Sequence, residues 1–262
     1  MTTRSGTLPS VPGSASRRFK PITIAAVVAV GMLLLWGRGC RSSMPDFGAY
    51  ENVQEKKDAF FGYLLPHIEA VNAAILADRA DLQAIRDDMA EGDSPGWLDR
   101  RRLGQLAEAY DLEAPEEISL GFVDRLLRRV DVVAPSLVLA QAANESAWGT
   151  SRFARQGNNL FGMRTYEPGT GIVPTGQPAG ATWEVAAYPS VRGSIDAYAH
   201  NLNTNDSYRQ MRRIRADLRL RDQTISGLAL AGGLLRYSER GAEYVAIIRS
   251  MIRSNDLDQY DG

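Results

Sequence analysis

The run "PSLVLAQAANESAW", residues 135–148, constrains this chain's fold more than any other stretch. Pro135 suits the first position of a helix, where its missing N–H costs nothing, and no further breaker follows before Trp148. On a 3.6-residue period, Leu139, Ala140, Ala142, Ala143 and Ala147 cover most of the surface, with Ser146 their only polar companion. Gln141, Asn144, Glu145 and Trp148 fall in one stripe roughly 100° wide. A helix apolar nearly all round is a central helix, so the rest of the chain must wrap it. Its polar stripe must then face water or hydrogen-bonding groups. A carboxylate buried there without a partner favours its neutral form, which is what a general acid requires. From spacing alone, an ion pair of Glu145 with Arg152 or Arg164 explains the residue equally well.

Close behind comes "GNNLFG", Gly157 to Gly162. Asparagine amides hold loop backbone through local hydrogen bonds. Leu160 and Phe161 can anchor the loop in the core, and the glycines permit unusual dihedrals. The pattern predicts a structured loop beside the central helix and says nothing by itself of catalysis.

The wrapping segments read as helices. Residues 42–50 form a short linker. From Val53 to "AEG", Phe60, Tyr63, Leu64, Ile68, Val71, Ala74 and Ile75 recur at helical intervals. Pro66 predicts a kink or restart there, and "GDSP" at 92–95 a stop. Further helices are predicted at about 97–110 and 119–129. In "YRQMRRIRADLRLRD", Met211, Ile214 and Leu218 make one apolar stripe, so the arginines read as a solvated outer face rather than a nucleic-acid patch. The formal net charge of −1 agrees: there is no global basic field to hold nucleic acid. One cysteine, Cys40, excludes an internal disulfide and a cysteine-rich zinc site, and the two histidines, His67 and His200, are not spaced as metal ligands.

A second strong constraint lies at 21–37, "PITIAAVVAVGMLLLWG", about 17 residues without a charge and at the short end of a membrane span. Arg4, Arg17, Arg18 and Lys20 precede it, and Arg38 and Arg41 follow. The larger basic cluster places the preceding residues in the cytoplasm and the following ones across the membrane. A cleaved signal peptide is the rival, but arginines sit where small residues should mark a cleavage site. The expected organisation is a disordered cytoplasmic segment (1–20), a single-pass inner-membrane anchor (21–37), a linker (38–50), a helical extension (51–115) and a catalytic domain (116–262).

The ordered series Gln141, Glu145, Ser146, Trp148, Gly149, Ser151, Ala154, Asn158, Asn159, Leu160, Phe161 and Gly162 resembles the signature of the bacterial glucosaminidase family, most closely the Bax-like group of proteobacteria. The likeness runs from about 119 to 258, through "YPSVRGSIDAYAHNLNTNDSYRQMR" and "LLRYSERGAEYVAIIRSMI". It implies a mainly α, lysozyme-like domain with a small β-hairpin lobe, cleaving peptidoglycan glycan strands at N-acetylglucosamine without metal or organic cofactor. It also implies that Glu145 is the general acid. Hydrolysis needs a second group as well. The lobe, about 163–188, offers Glu184 on a short strand and Glu167 in a turn; Glu184 is favoured, and the substrate's own acetamido group is the third option. Gln141, Trp148, Asn158, Asn159, Tyr188 and Tyr237 are the candidate substrate-binding residues, the aromatics because sugar rings stack on them. Tyr237 matches a family segment whose tyrosine approaches the acid, whereas Tyr244 shares an apolar face with Ile247, Ile248 and Met251 and reads as packing. Muramidase or lytic transglycosylase activity fits the same scaffold, and a non-catalytic peptidoglycan-binding protein is the alternative from another class. Protein partners are not specified by the sequence.

Overall fold

A computed structural model describes residues 44–178 and 180–261. The apolar segment 21–37 and its basic flanks lie outside the described residues. The elements run α1 (Val53–Glu91), α2 (Trp97–Ala109), α3 (Leu120–Arg129), α4 (Pro135–Ser146), α5 (Arg152–Gly157), β1 (Arg164–Thr165), β2 (Gly171–Ile172), β3 (Glu184–Ala186), α6 (Val191–Thr204), α7 (Arg209–Leu220), α8 (Gly227–Leu230) and α9 (Ala242–Ser254), with short 3-10 turns between. The fold is mainly α with one small antiparallel sheet.

The alanine-rich run is the central helix α4. Residues Ser136 to Ala143 are all buried, and α1, α8, α9 and the C-terminal 3-10 turn pack around them. Ala134, at the N-cap, has no capping side chain. Asp261 supplies the cap from the far end of the chain: its carboxylate accepts from Ser136 N at 2.9 Å, Ser136 Oγ at 2.6 Å and Gly227 N at 2.8 Å. An acidic group at a helix N-terminus meets free N–H donors and the positive end of the dipole. Gly227 is required at this junction, because a Cβ there would lie 2.1 Å from Ser136 Oγ.

Pro66 does not break its helix. α1 is continuous for 39 residues, capped by Asn52 at one end and by Gly92 in the left-handed region at the other. The carbonyl that Pro66 deprives of a partner belongs to Gly62, and both residues are exposed, so water can satisfy it. By length and composition α1 could cross a membrane. Its apolar stripe, including Phe60, Leu64 and Ile68, faces α3, α4 and α6 in the core.

The arginine run also departs from expectation. Met211 points inward as predicted, but so do Arg212 and Arg215, at 5% and 1% exposure. Arg212 Nη1 donates to Leu202 O and Asn205 O, and Arg215 donates to Arg128 O, Asp131 O and Val132 O. A guanidinium with five donors can be buried where carbonyls converge, and the C-terminus of α6 offers them to Arg212 and that of α3 to Arg215. Periodicity in apolar residues alone does not see this.

In the lobe, β3 pairs with β1 on one side and β2 on the other. The expected alternation over 182–188 shortens to three strand residues, with Val185 and Ala186 both buried. Gly171 lets β2 lie close: a Cβ there would meet Val185 O at 2.4 Å.

Candidate active site

α4 ends at Ser146, two residues earlier than its composition predicts. Ala147, Trp148 and Gly149 then take three successive left-handed conformations, φ 51°, 60° and 74°. Ser146 holds this turn, donating to Ala142 O at 2.6 Å and accepting from Gly149 N at 2.7 Å. Gly149 is required both by its φ and by space, since a Cβ would lie 2.6 Å from the Phe47 ring. The turn removes Trp148 from the stripe and packs its ring edge-on against Phe60 and Phe61, with Lys57 Nζ 5.3 Å from its centroid.

Glu145 remains, half-buried, at the last turn of the helix. It makes no ion pair among the described residues: Arg152 instead donates to Val173 O, and Arg164 stacks over Trp183 at 3.9 Å. One oxygen, Oε1, accepts from Tyr244 Oη at 2.8 Å and from Asn144 Nδ2 at 3.0 Å. Oε2 has no hydrogen-bond partner among the described residues.

Behind the carboxylate stands a buried polar chain. Tyr244 Oη accepts from Gln141 Nε2 at 2.8 Å, and Gln141 Oε1 accepts from Tyr198 Oη. Gln141 and Tyr198 are fully buried. Tyr198 stacks on Phe161 at 4.0 Å, and Tyr237 stacks on Tyr244 at 5.2 Å while its hydroxyl donates to Phe161 O at 3.3 Å. Thus Phe161 of "NNLFG" is linked to Glu145 through two tyrosines and a glutamine. Burial, followed by the neighbouring Glu145 charge, pushes the Tyr244 hydroxyl far above its ordinary value. Burial does the same for Tyr198 and Tyr237. All three therefore stay protonated donors across the working pH range.

The two asparagines serve the backbone. Asn159, 2% exposed, donates to Met163 O and Ala186 O at 2.8 Å each and accepts from Phe161 N and Met163 N. Asn158, left-handed at the end of α5, donates to Tyr188 O at 2.9 Å. Tyr188 is half-buried and returns its N–H to Gly157 O at 2.8 Å. Together they tie the loop to the sheet lobe. Gln141 likewise spends its amide within the protein. Glu184 accepts from Gly169 N at 3.0 Å and Gly171 N at 2.8 Å, one bond to each oxygen, and so closes the hairpin turn. Glu167 is exposed in that turn.

Tyr244 is the site residue that periodicity undervalued. Its ring packs as expected, at 3% exposure, but its hydroxyl is the one on the acid, while Tyr237 supports it from the next layer. The signal was available: a buried tyrosine hydroxyl needs a partner, and a polar stripe on α4 was the nearest supply. Tyr244→Phe should cost about 1–3 kcal/mol of stability by stranding Gln141. It should also lower kcat about tenfold with KM little changed. A kcat within twofold of wild type would show that Glu145 does not depend on this hydroxyl.

Comparison with known proteins gives the chain its family. Residues 122–257 match the family model described as glucosaminidase, mannosyl-glycoprotein endo-beta-N-acetylglucosaminidase. Protein bax of Escherichia coli strain K12 is 36% identical over 217 residues, covering 82% of this chain and 75% of the relative. The catalytic domain of the autolysin Auto from Listeria monocytogenes is similar at 22% identity and TM-score 0.38, over 68% of this chain and 96% of that one. With its family match spanning α3 to the C-terminal turn and a relative 36% identical over 82% of its length, the chain belongs to the glucosaminidase family and is a glycoside hydrolase.

Proposed function

We propose that this enzyme hydrolyses peptidoglycan glycan strands on the reducing side of N-acetylglucosamine, with Glu145 as general acid on a lysozyme-like scaffold. The observation that carries the reading is the half-buried carboxylate at the end of a buried helix, with one oxygen held by two donors and the other without a protein partner. The held oxygen orients the group, and the other is available to give a proton to the glycosidic oxygen as the C–O bond breaks. Water completes the products. The family's endo-N-acetylglucosaminidase chemistry supports the bond. The segment 21–37 supports a single-pass inner-membrane anchor with the catalytic domain in the periplasm, where peptidoglycan lies. Tyr188 would bind sugar by its ring, whereas Trp148, packed on α1, and Tyr237, stacked behind Tyr244, would act by shaping the site. Gln141, Asn158 and Asn159 would act by shaping the site, since their amides are engaged within the protein.

Glu184 is the second carboxylate in this proposal. Its two N–H donors suit an acceptor-only, ionised group and fix its position on β3. Glu184→Gln should then lower the rate at least ~100-fold, with a small drop in melting temperature because the amide nitrogen cannot accept one of the two backbone N–H bonds that close the turn. Near-normal activity would move the role to Glu167 or to the substrate's acetamido group.

One observation favours a second reading. Because both Glu184 oxygens serve the hairpin turn, which gives the residue a structural reason to be there, a lytic transglycosylase, in which one acid/base residue suffices and the substrate's own hydroxyl attacks, fits the site as well. Mass spectrometry of fragments released from purified peptidoglycan separates these readings. New reducing-end N-acetylglucosamine is expected. Anhydro-sugar ends would establish the transglycosylase, and reducing-end N-acetylmuramic acid a muramidase.

A further inference from the structure

Away from Glu145, helices α1, α3 and α7 enclose a cavity of about 640 Å³ lined by six arginines and three aspartates. Arg86 is already neutralised, by Asp124 at 2.8 Å and Asp87 at 3.5 Å. The remaining acid, Asp131, serves three guanidiniums at once: Arg219 at 2.8 Å, Arg79 at 3.5 Å and Arg215 at 3.7 Å. Arg128 and Arg212 make no ion pair among the described residues. Asp131 is 2% exposed and Arg215 1%, whereas Arg128 and Arg219 are exposed, so the uncompensated positive charge lies on the solvent side of a buried ion-pair cluster.

Part of the cluster is explained by structure. Arg79 and Arg215 donate to Leu127 O, Arg128 O, Val130 O, Asp131 O and Val132 O, and so cap the C-terminus of α3. Carbonyl dipoles satisfy N–H groups but do not cancel whole charges. Nor do they account for Arg79 Nε and Nη2, Arg219 Nη1 or the Arg128 guanidinium, which have no acceptor among the described residues. Arg128 and Arg219 are exposed, so their spare donors reach solvent. A capping role needs neither the cavity nor this surplus of donors.

We propose that the cavity binds a small phosphate-bearing anion, a phosphate ester or diphosphate carrying about two to three negative charges. The lining residues carry three more positive charges than negative ones, six arginines against three aspartates. A carboxylate would cancel only one of these. A tetrahedral phosphate presents oxygens in several directions at once, as guanidiniums arriving from three helices require. The volume lies within the range of small-molecule sites and exceeds what one phosphate fills. The inference is independent of the glycosidase reading.

Titration calorimetry and thermal melting of the full chain, with pyrophosphate, inorganic phosphate and glycerol phosphate at constant ionic strength in chloride, test it. Pyrophosphate should bind and, at a hundredfold excess over its Kd, raise the melting temperature by about 5–10 °C. Arg128→Gln should weaken binding several-fold, and Arg128→Gln with Arg219→Gln at least about tenfold, while Arg101→Gln, on exposed α2, leaves it unchanged. If glycerol phosphate binds as tightly as pyrophosphate, the source is a phospholipid headgroup; if pyrophosphate binds much more tightly, it is a soluble diphosphate. Absence of binding heat and melting shift with all three, or equal affinities in wild type and the double variant, overturns the proposal.

Discussion

Glu145→Gln should lower glycan cleavage by about a thousandfold or more while leaving binding of peptidoglycan intact. Removing a positioned proton donor costs about 10²–10⁴ in rate. Nothing else at the site should change, because glutamine keeps an oxygen that Tyr244 Oη and Asn144 Nδ2 can still reach. The stack of Tyr237 on Tyr244 and the Gln141–Tyr198 bond do not involve the deleted proton. Fragment release and co-sedimentation with peptidoglycan should therefore separate: release lost, binding kept. If the variant retains more than about a tenth of wild-type release, the acid is another group. If wild type and variant bind alike and neither releases fragments, the scaffold is a binding module.

Asp131→Asn should be the most destabilising single change in the molecule outside the apolar core, at about 3–5 kcal/mol, because removing one partner leaves the others as uncompensated buried charge. Three guanidiniums lose the one carboxylate they meet among the described residues, and Arg215, at 1% exposure, cannot turn to water for relief. Burial pushes the Asp131 carboxyl up, but the opposing pull of Arg215, Arg219 and Arg79 is larger and holds it below its ordinary value of 3.8. A carboxyl lowered in the folded state stabilises that state above the unfolded value. The contribution is lost as pH falls through the folded value, so this cluster should weaken only below about pH 3.8. Denaturant unfolding of both proteins from pH 7 to pH 2.5 checks it: the difference should be full at neutral pH and shrink toward the acid end. A difference under 1 kcal/mol at pH 7 would mean that the carbonyl network alone holds the arginines.

Several elements could be read directly from the chain. Pro135, the alanine run and the absence of breakers predicted a buried central helix, because an apolar surface on every side leaves it nowhere else to go. Gly92 as the stop of α1 was equally visible, since a terminating glycine acts through one or two neighbouring residues. "NNLFG" as a backbone-fixing loop followed from amide chemistry, and the structure shows its amides spent that way.

What the chain alone determined is therefore local or compositional: periodicity, caps, breakers, an apolar span and an ordered motif around one glutamate. Only the tertiary structure decided which groups meet. Ser146 ends α4 two residues early and sends Trp148 to α1, because a hydroxyl can latch the turn that follows it. Tyr244, 99 residues after Glu145, brings the hydroxyl that holds it. Arg215, 84 residues after Asp131, goes inward because α3 ends where its carbonyls are needed. Each is a contact between segments far apart in sequence, and hydrophobic period carries no record of where a distant donor will find its acceptor.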